Sequence, residues 1–204
     1  AELVTVGSQG VERGLHELAE TRGADLLVVG SSSRGLLGRV LLGDDTVGAL
    51  NGAPCAVAVA PAGYAGRVKS VATVGVAYNG SPESDHALDV ARALAAQHGA
   101  GVRALEVVSI PAFAYTGGAP LDWGDAIGEL IKASRDRLSA LEGVEGDAVY
   151  GTSGEELSAF GDSVDLLVVG SRGYGPVRRL MLGSTSAFLA RHARCPLLIV
   201  PRGQ

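Results

Sequence analysis

The 204-residue chain is poor in the residues that staple or ligate: it has 2 cysteines, Cys55 and Cys195, and 4 scattered histidines, His16, His86, His98 and His192. A disulfide framework is thereby excluded, no spacing suits a structural metal, and the two thiols read as small buried core residues. Aromatic residues make up 4% of the chain while apolar residues reach 47%. The core must therefore be built from Val, Leu and Ala, the usual filling of a parallel α/β sheet. Excess positive charge is missing as well: the formal net charge is −5, which offers no basic stripe and argues against a nucleic-acid partner. No apolar run is long enough to cross a bilayer and no signal-peptide pattern is present, so a membrane partner is not expected and the cytoplasm is the expected location.

Several catalytic signatures are absent too. A Walker loop needs Lys followed by Ser or Thr directly after its last glycine, and no run supplies it. Gly99-x-Gly101-x-x-Ala104 matches the dinucleotide fingerprint in letters but precedes a strand instead of following one. There is no Gly-x-Ser-x-Gly elbow and no carboxylate pair spaced for hydrolytic acid/base work. No catalytic residue is assigned.

What the chain does have is a duplication. Asp25-Leu26-Leu27-Val28-Val29-Gly30-Ser31 recurs residue for residue as Asp165-Leu166-Leu167-Val168-Val169-Gly170-Ser171. The same ungapped register pairs Gly35 with Gly175, Arg39 with Arg179, Gly43 with Gly183, Cys55 with Cys195 and Pro61 with Pro201. The period is too long for a solenoid, so a domain has been duplicated in tandem. Residues 1–66 hold a partial first domain and 67–204 a complete second one.

In the second copy Gly170, Gly173, Gly183 and Ser184 lie between two buried strand runs, with a helix opening at Ser184. Glycines let the backbone close on a phosphate, and a helix N-terminus presents free N–H groups to an anion. This G-x2-G-x9-G-S run resembles the pattern of the ATP-binding universal stress proteins. The first copy departs from it: Ser33 replaces the middle glycine and Asp44-Asp45 replace the Ser-Thr pair. Two carboxylates would repel phosphate there, so the first copy is expected to keep its fold and lose its nucleotide.

The complete copy reads as five strands alternating with four helices: an apolar run at Val71 to Ala77, a Ser81-Pro82 helix start, strands at Val102 to Val108, Ala148 to Tyr150, Leu166 to Val169 and Leu197 to Val200, with later helices near Asp125 to Leu141, Glu155 to Phe160 and Ser184 to Ala193. Right-handed crossovers then give an α/β, doubly wound, open parallel sheet. The resemblance implies strand order 3-2-1-4-5, a Rossmann-like fold with its ligand crevice between strands one and four. In the first copy Val4 to Gly7 resembles strand three and Val11 to Thr21 the short helix that follows. Strands one and two are absent, leaving a hole that implies either a fragment of a longer chain or a sheet completed by another chain through strand swapping in a homo-oligomer.

Carried across residue by residue, the resemblance places Val107 and Val169 against adenine. Gly170, Arg172 and Gly173 follow the ribose and phosphates, while Gly183, Ser184, Thr185 and Ser186 hold the phosphates, with Arg178 and Arg179 near by. ATP with Mg2+ is the implied ligand. Asn79 stands where the family usually has aspartate, which removes a charge that a ribose or metal contact would use. The family also pairs domains through their last strands, which here would join Ala56 to Ala60 with Leu197 to Val200 as a pseudo-dimer. The expected function is a nucleotide-dependent regulatory protein of the stress response. Its alternatives are a slow ATPase or phosphotransferase in the same crevice, and a nucleotide-free structural dimerisation module.

Overall fold

The chain is described from a computed structural model that covers residues 2–30, 50–61, 64, 70–109, 123–171 and 179–202. Its strands are β1 Leu26–Gly30, β2 Ala56–Ala60, β3 Thr73–Ala77, β4 Gly101–Val108, β5 Val144–Tyr150, β6 Leu166–Gly170 and β7 Leu197–Val200. Its described helices are α1 Val11–Arg22, α2 Pro82–His98, α3 Trp123–Ser139, α4 Ser153–Phe160 and α5 Ser184–His192. The seven strands form one sheet in the order β1-β2-β7-β6-β3-β4-β5.

Five of them, β5-β4-β3-β6-β7, are all parallel neighbours and reproduce the expected 3-2-1-4-5 order of the second copy. The sheet does not stop there, which is where it differs from a five-stranded expectation. β2 pairs antiparallel with β7, with Val57 opposite Ile199 and Val59 opposite Leu197, and β1 adds in parallel beyond β2. The two surviving strands of the first copy thus avoid the expected hole by continuing the sheet of the second.

One expected strand is not formed. Residues 2–8 carry no strand, and Leu3, Val4 and Val6 are 98%, 38% and 41% exposed. A strand three pairs only with strand two, and no counterpart of strand two lies in residues 2–30, so here this segment has no ladder to join. The helix after it does form, as α1.

Period-two alternation assigns the strand residues to two cores. Val74, Val76, Val168, Leu198 and Val200 face Ala87, Leu88, Ala91 and Ala95 of α2 and Leu138 of α3. Leu167, Val169, Leu197 and Ile199 face Leu157 of α4 and Leu189 and Ala190 of α5. Local sequence explains the helix ends. Ser81 Oγ accepts the Ser84 N–H at 3.3 Å and Pro82 occupies the first turn of α2. Gly99 closes it at φ 65°. On α3 Leu138 is fully buried while Leu130 is 48% exposed, so the packed stripe of that helix is narrow.

The repeat makes the worth of the missing elements visible. Leu166 and Val168 lie beneath α2, whereas their counterparts Leu26 and Val28 are 47% and 63% exposed. Identical sequence therefore gives a buried central strand in one repeat and a half-bare edge strand in the other.

Candidate functional site

A cavity of about 620 Å³ opens at the carboxyl ends of β3, β4 and β6, where the strand order reverses. Asn79, Val107, Val169, Gly170, Gly183, Thr185 and Ser186 line it, so the topology brings together seven of the ten positions read from the sequence. Ser184 opens α5 on an exposed position and is not among the described lining residues. Arg172 and Gly173, together with Arg178, lie outside the described residues. The substituted positions Ser33, Asp44 and Asp45 of the first copy lie outside them as well.

The walls differ in character. Leu105 and Val107 on β4, Leu157 on α4 and Val169 on β6 supply an apolar side. Ser81, Glu83 and Ser84 at the start of α2, with Gly183, Thr185 and Ser186 at the start of α5, supply a polar side made of two helix N-termini. The first turn of a helix carries N–H groups with no carbonyl partner inside the helix, and its dipole favours an anion there. Ser186 organises the α5 end: its Oγ accepts the Gly183 N–H at 2.8 Å and donates to Gly183 O at 3.2 Å. That hydroxyl serves the cap of α5.

Asn79 is likewise engaged locally. Its Oδ1 accepts the Ser81 N–H at 3.1 Å, and its own N–H donates to Ser84 Oγ at 3.4 Å. With the carbonyl oxygen in the turn, the side-chain NH2 can only donate, the opposite of what an aspartate would offer a ribose hydroxyl or a metal. Gly80, at φ 73°, completes the turn against the Arg137 side chain, whose Cδ would lie 3.2 Å from an added Cβ. Arg137 is fixed in turn by a two-pronged ion pair with the buried Glu106, at 3.1 and 3.2 Å. Beside it Tyr78 donates to Asp85 at 2.8 Å, and burial together with that hydrogen bond pushes its phenol pKa up.

The glycine of the repeated heptapeptide has a packing reason that sequence alone did not reveal. A Cβ on Gly170 would lie 2.6 Å from the Glu83 carbonyl oxygen, so its absence lets α2 approach β6. Sequence reading also missed Ser171, Glu83 and Arg202. Ser171 is 2% exposed, lines the cavity, and its hydroxyl has no hydrogen-bond partner among the described residues. Its place in the repeated heptapeptide was the available signal. Arg202 approaches Glu83 at 3.7 Å across the polar side, and nothing in the spacing foretold it. Arg179 turns away from the cavity, to Glu20 at 2.7 Å and Gly52 O at 3.2 Å.

Among the described lining residues there is no histidine, cysteine, aspartate or lysine. Such a lining suits holding a ligand with an apolar plane and an anionic end, and its carboxylate, Glu83, faces Arg202. Among the described residues no group of three potential metal ligands occurs, and no helix is long and apolar enough to cross a membrane.

The universal stress protein family model matches residues 2–61 and 71–201. A universal stress protein of Thermus aquaticus is 31% identical over 137 residues, covering 63% of this chain and 97% of its own length. One from Mycobacterium tuberculosis is 26% identical over 206 residues, covering 95% of this chain and 70% of the relative. The crystal structure of a universal stress protein from Archaeoglobus fulgidus superposes with a TM-score of 0.66 at 23% identity, over 95% of this chain and 67% of the other, a likeness of fold. With the duplicated heptapeptide and the switch-point cavity already in place, the family matches across both repeats show that this chain belongs to the universal stress protein family.

Proposed function

We propose that the chain is an ATP-binding regulatory member of this stress-response family, with one nucleotide held in the second repeat. The observation that carries the reading is the two-sided cavity at the switch point, apolar on the β4 and α4 side and lined by two helix N-termini on the other. Its volume lies within the range of small-molecule sites, roughly 300–1,000 Å³. Adenine would lie against Val107, Leu105 and Val169, and the phosphates would meet the first turn of α5 at Gly183, Ser184 and Thr185.

The residues fit the ligand on a point independent of the motif. A buried hydroxyl without a partner costs about 1–3 kcal/mol, and Ser171, a residue of the cavity lining, carries one. A polar ligand atom would relieve that cost. Mg2+ would arrive with the phosphates, because it keeps most of its waters and takes few protein ligands. Glu83 is the carboxylate on the described lining, and it faces Arg202.

In this reading the two repeats act as a pseudo-dimer joined through β2 and β7, and the free edge of β1 is where a further chain would add strands in a homo-oligomer. Occupancy would be passed on by shape to a partner, and the cytoplasm, where ATP is abundant, is the working compartment. The test is to denature the purified protein, identify released nucleotide by mass, and titrate the emptied protein with ATP and Mg2+ while following phosphate release. One ATP per chain without turnover is the expected result. No binding at millimolar ATP would leave a structural module, and turnover lost in Ser184→Ala without loss of binding would make it an enzyme.

A further inference from the structure

The segment leading into α5 is held by the first repeat. Leu180 N–H donates to Ala53 O at 2.9 Å, and Gly52 N–H donates to Leu180 O at 2.8 Å, a reciprocal bridge between the two copies. Leu182 N–H reaches Asn51 Oδ1 at 3.4 Å. Arg179 spans the seam, with Nη2 on Glu20 Oε1 at 2.7 Å and Nη1 on Gly52 O at 3.2 Å. Leu180 is fully buried in one cluster with Leu50 and Ala53. Gly52 sits at φ 87°, a conformation that glycine adopts without strain.

Gly183 comes directly after this bridge, and it is both the N-cap of α5 and part of the cavity wall. Any displacement of residues 179–182 therefore moves the first turn of α5, which forms that part of the cavity wall. We infer that the first repeat, whose own motif is altered, acts as a brace for the anion site of the second. Arg179, Leu180 and the 51–53 turn would then set the affinity for the phosphate part of the nucleotide. The inference rests on the nucleotide reading above and adds to it a role for the first repeat.

Arg179 is accordingly a positioning residue. Its charge is met by Glu20 and one of its donors by Gly52 O, so it acts on the ligand through Gly183. The two roles open to an arginine here predict opposite signs. Glu20→Gln frees Arg179 from its carboxylate: a direct phosphate ligand would then bind ATP more tightly, whereas a brace would bind it more weakly.

The experiment is calorimetric titration of the full chain with ATP and Mg2+, and separately with adenosine. It compares wild type, Arg179→Ala, Glu20→Gln and the charge-swapped pair Arg179→Glu with Glu20→Arg. Hydrogen exchange at the Leu180 and Gly183 amides is followed in each protein. Loss of one partly exposed ion pair, joined in Arg179→Ala by loss of the hydrogen bond to Gly52 O, should weaken ATP about three- to tenfold, with Glu20→Gln at the lower end. Adenosine affinity should stay unchanged, the swapped pair should recover at least half of the loss, and both amides should exchange faster in the single variants. Tighter ATP binding in Glu20→Gln, or equal loss of ATP and adenosine, would overturn the brace. Wild type that binds neither ligand would sink the nucleotide reading and with it the role in affinity, whereas binding by wild type with unchanged exchange in both single variants would remove the brace alone.

Discussion

Gly30→Ala and Gly170→Ala are one chemical change at one position of a repeated heptapeptide, made in two tertiary settings. A Cβ on Gly170 would lie 2.6 Å from Glu83 O, 2.9 Å from Glu83 C and 3.0 Å from Glu83 Cβ. Even a close C···O contact is roughly 3.3 Å, so α2 or β6 would have to give by about 0.7 Å. Neither yields easily. The Ser81 cap holds the start of α2, and parallel pairing with β3 and β7 holds β6. Overpacking against fixed atoms costs about 1–3 kcal/mol, and because the obstructing atoms are backbone we expect about 3 kcal/mol for Gly170→Ala.

At Gly30 the added Cβ meets nothing within 4 Å among the described residues. Alanine there lowers the entropy of the unfolded chain, so the change should fall between zero and about 1 kcal/mol of stabilisation. Guanidinium unfolding at constant m-value reads the difference directly. In a thermal scan Gly170→Ala should melt about 6–12 °C below wild type and Gly30→Ala at or slightly above it. Agreement of the two variants within about 0.5 kcal/mol would refute the argument that close approach of α2 is what requires glycine at the end of β6.

A second pair extends this test to side chains: Val168→Ala, fully buried, should cost about 2 kcal/mol in a denaturant titration, while Val28→Ala, 63% exposed, should cost less than about 0.5. Burial, with the charges of Asp162 and Asp165 adding to it, pushes the Cys195 thiol up to about 12 from a reference of 9.0. Above about pH 9 the unfolded chain releases that proton and the fold keeps it, so the stability this thiol contributes is complete below pH 9 and falls as pH rises toward 12, by about 1.4 kcal/mol per pH unit. Unfolding of wild type and Cys195→Ala between about pH 8 and 10.5 should show the steeper decline in wild type, and parallel curves would contradict the assignment. Ser171→Ala removes a buried hydroxyl without a partner; it should stabilise the ligand-free protein by about 1 kcal/mol and weaken ATP, and a variant less stable without ligand would mean that the hydroxyl is already satisfied.

Much of this protein is local enough to be legible in its sequence. The ungapped repeat, the period-two apolar runs of β3, β6 and β7, the Ser81-Pro82 start of α2 and the glycine at its end are each decided by neighbours a few residues away. Seven of the ten candidate site residues reached one cavity because strand ends and helix starts at a switch point are set by chain order. Tertiary structure alone decided what those residues meet. Val4 and Val6 have strand-forming side chains, yet no strand forms where the neighbouring strand is missing. Leu26 and Val28 stay half-bare while the identical Leu166 and Val168 lie under a helix. Arg179, which the resemblance places only near the phosphates, is drawn to Glu20, far away in sequence. A backbone preference depends on nearby residues and is repeated whenever they are repeated; burial, charge partners and close approach depend on which distant elements are present, and the two copies differ in those.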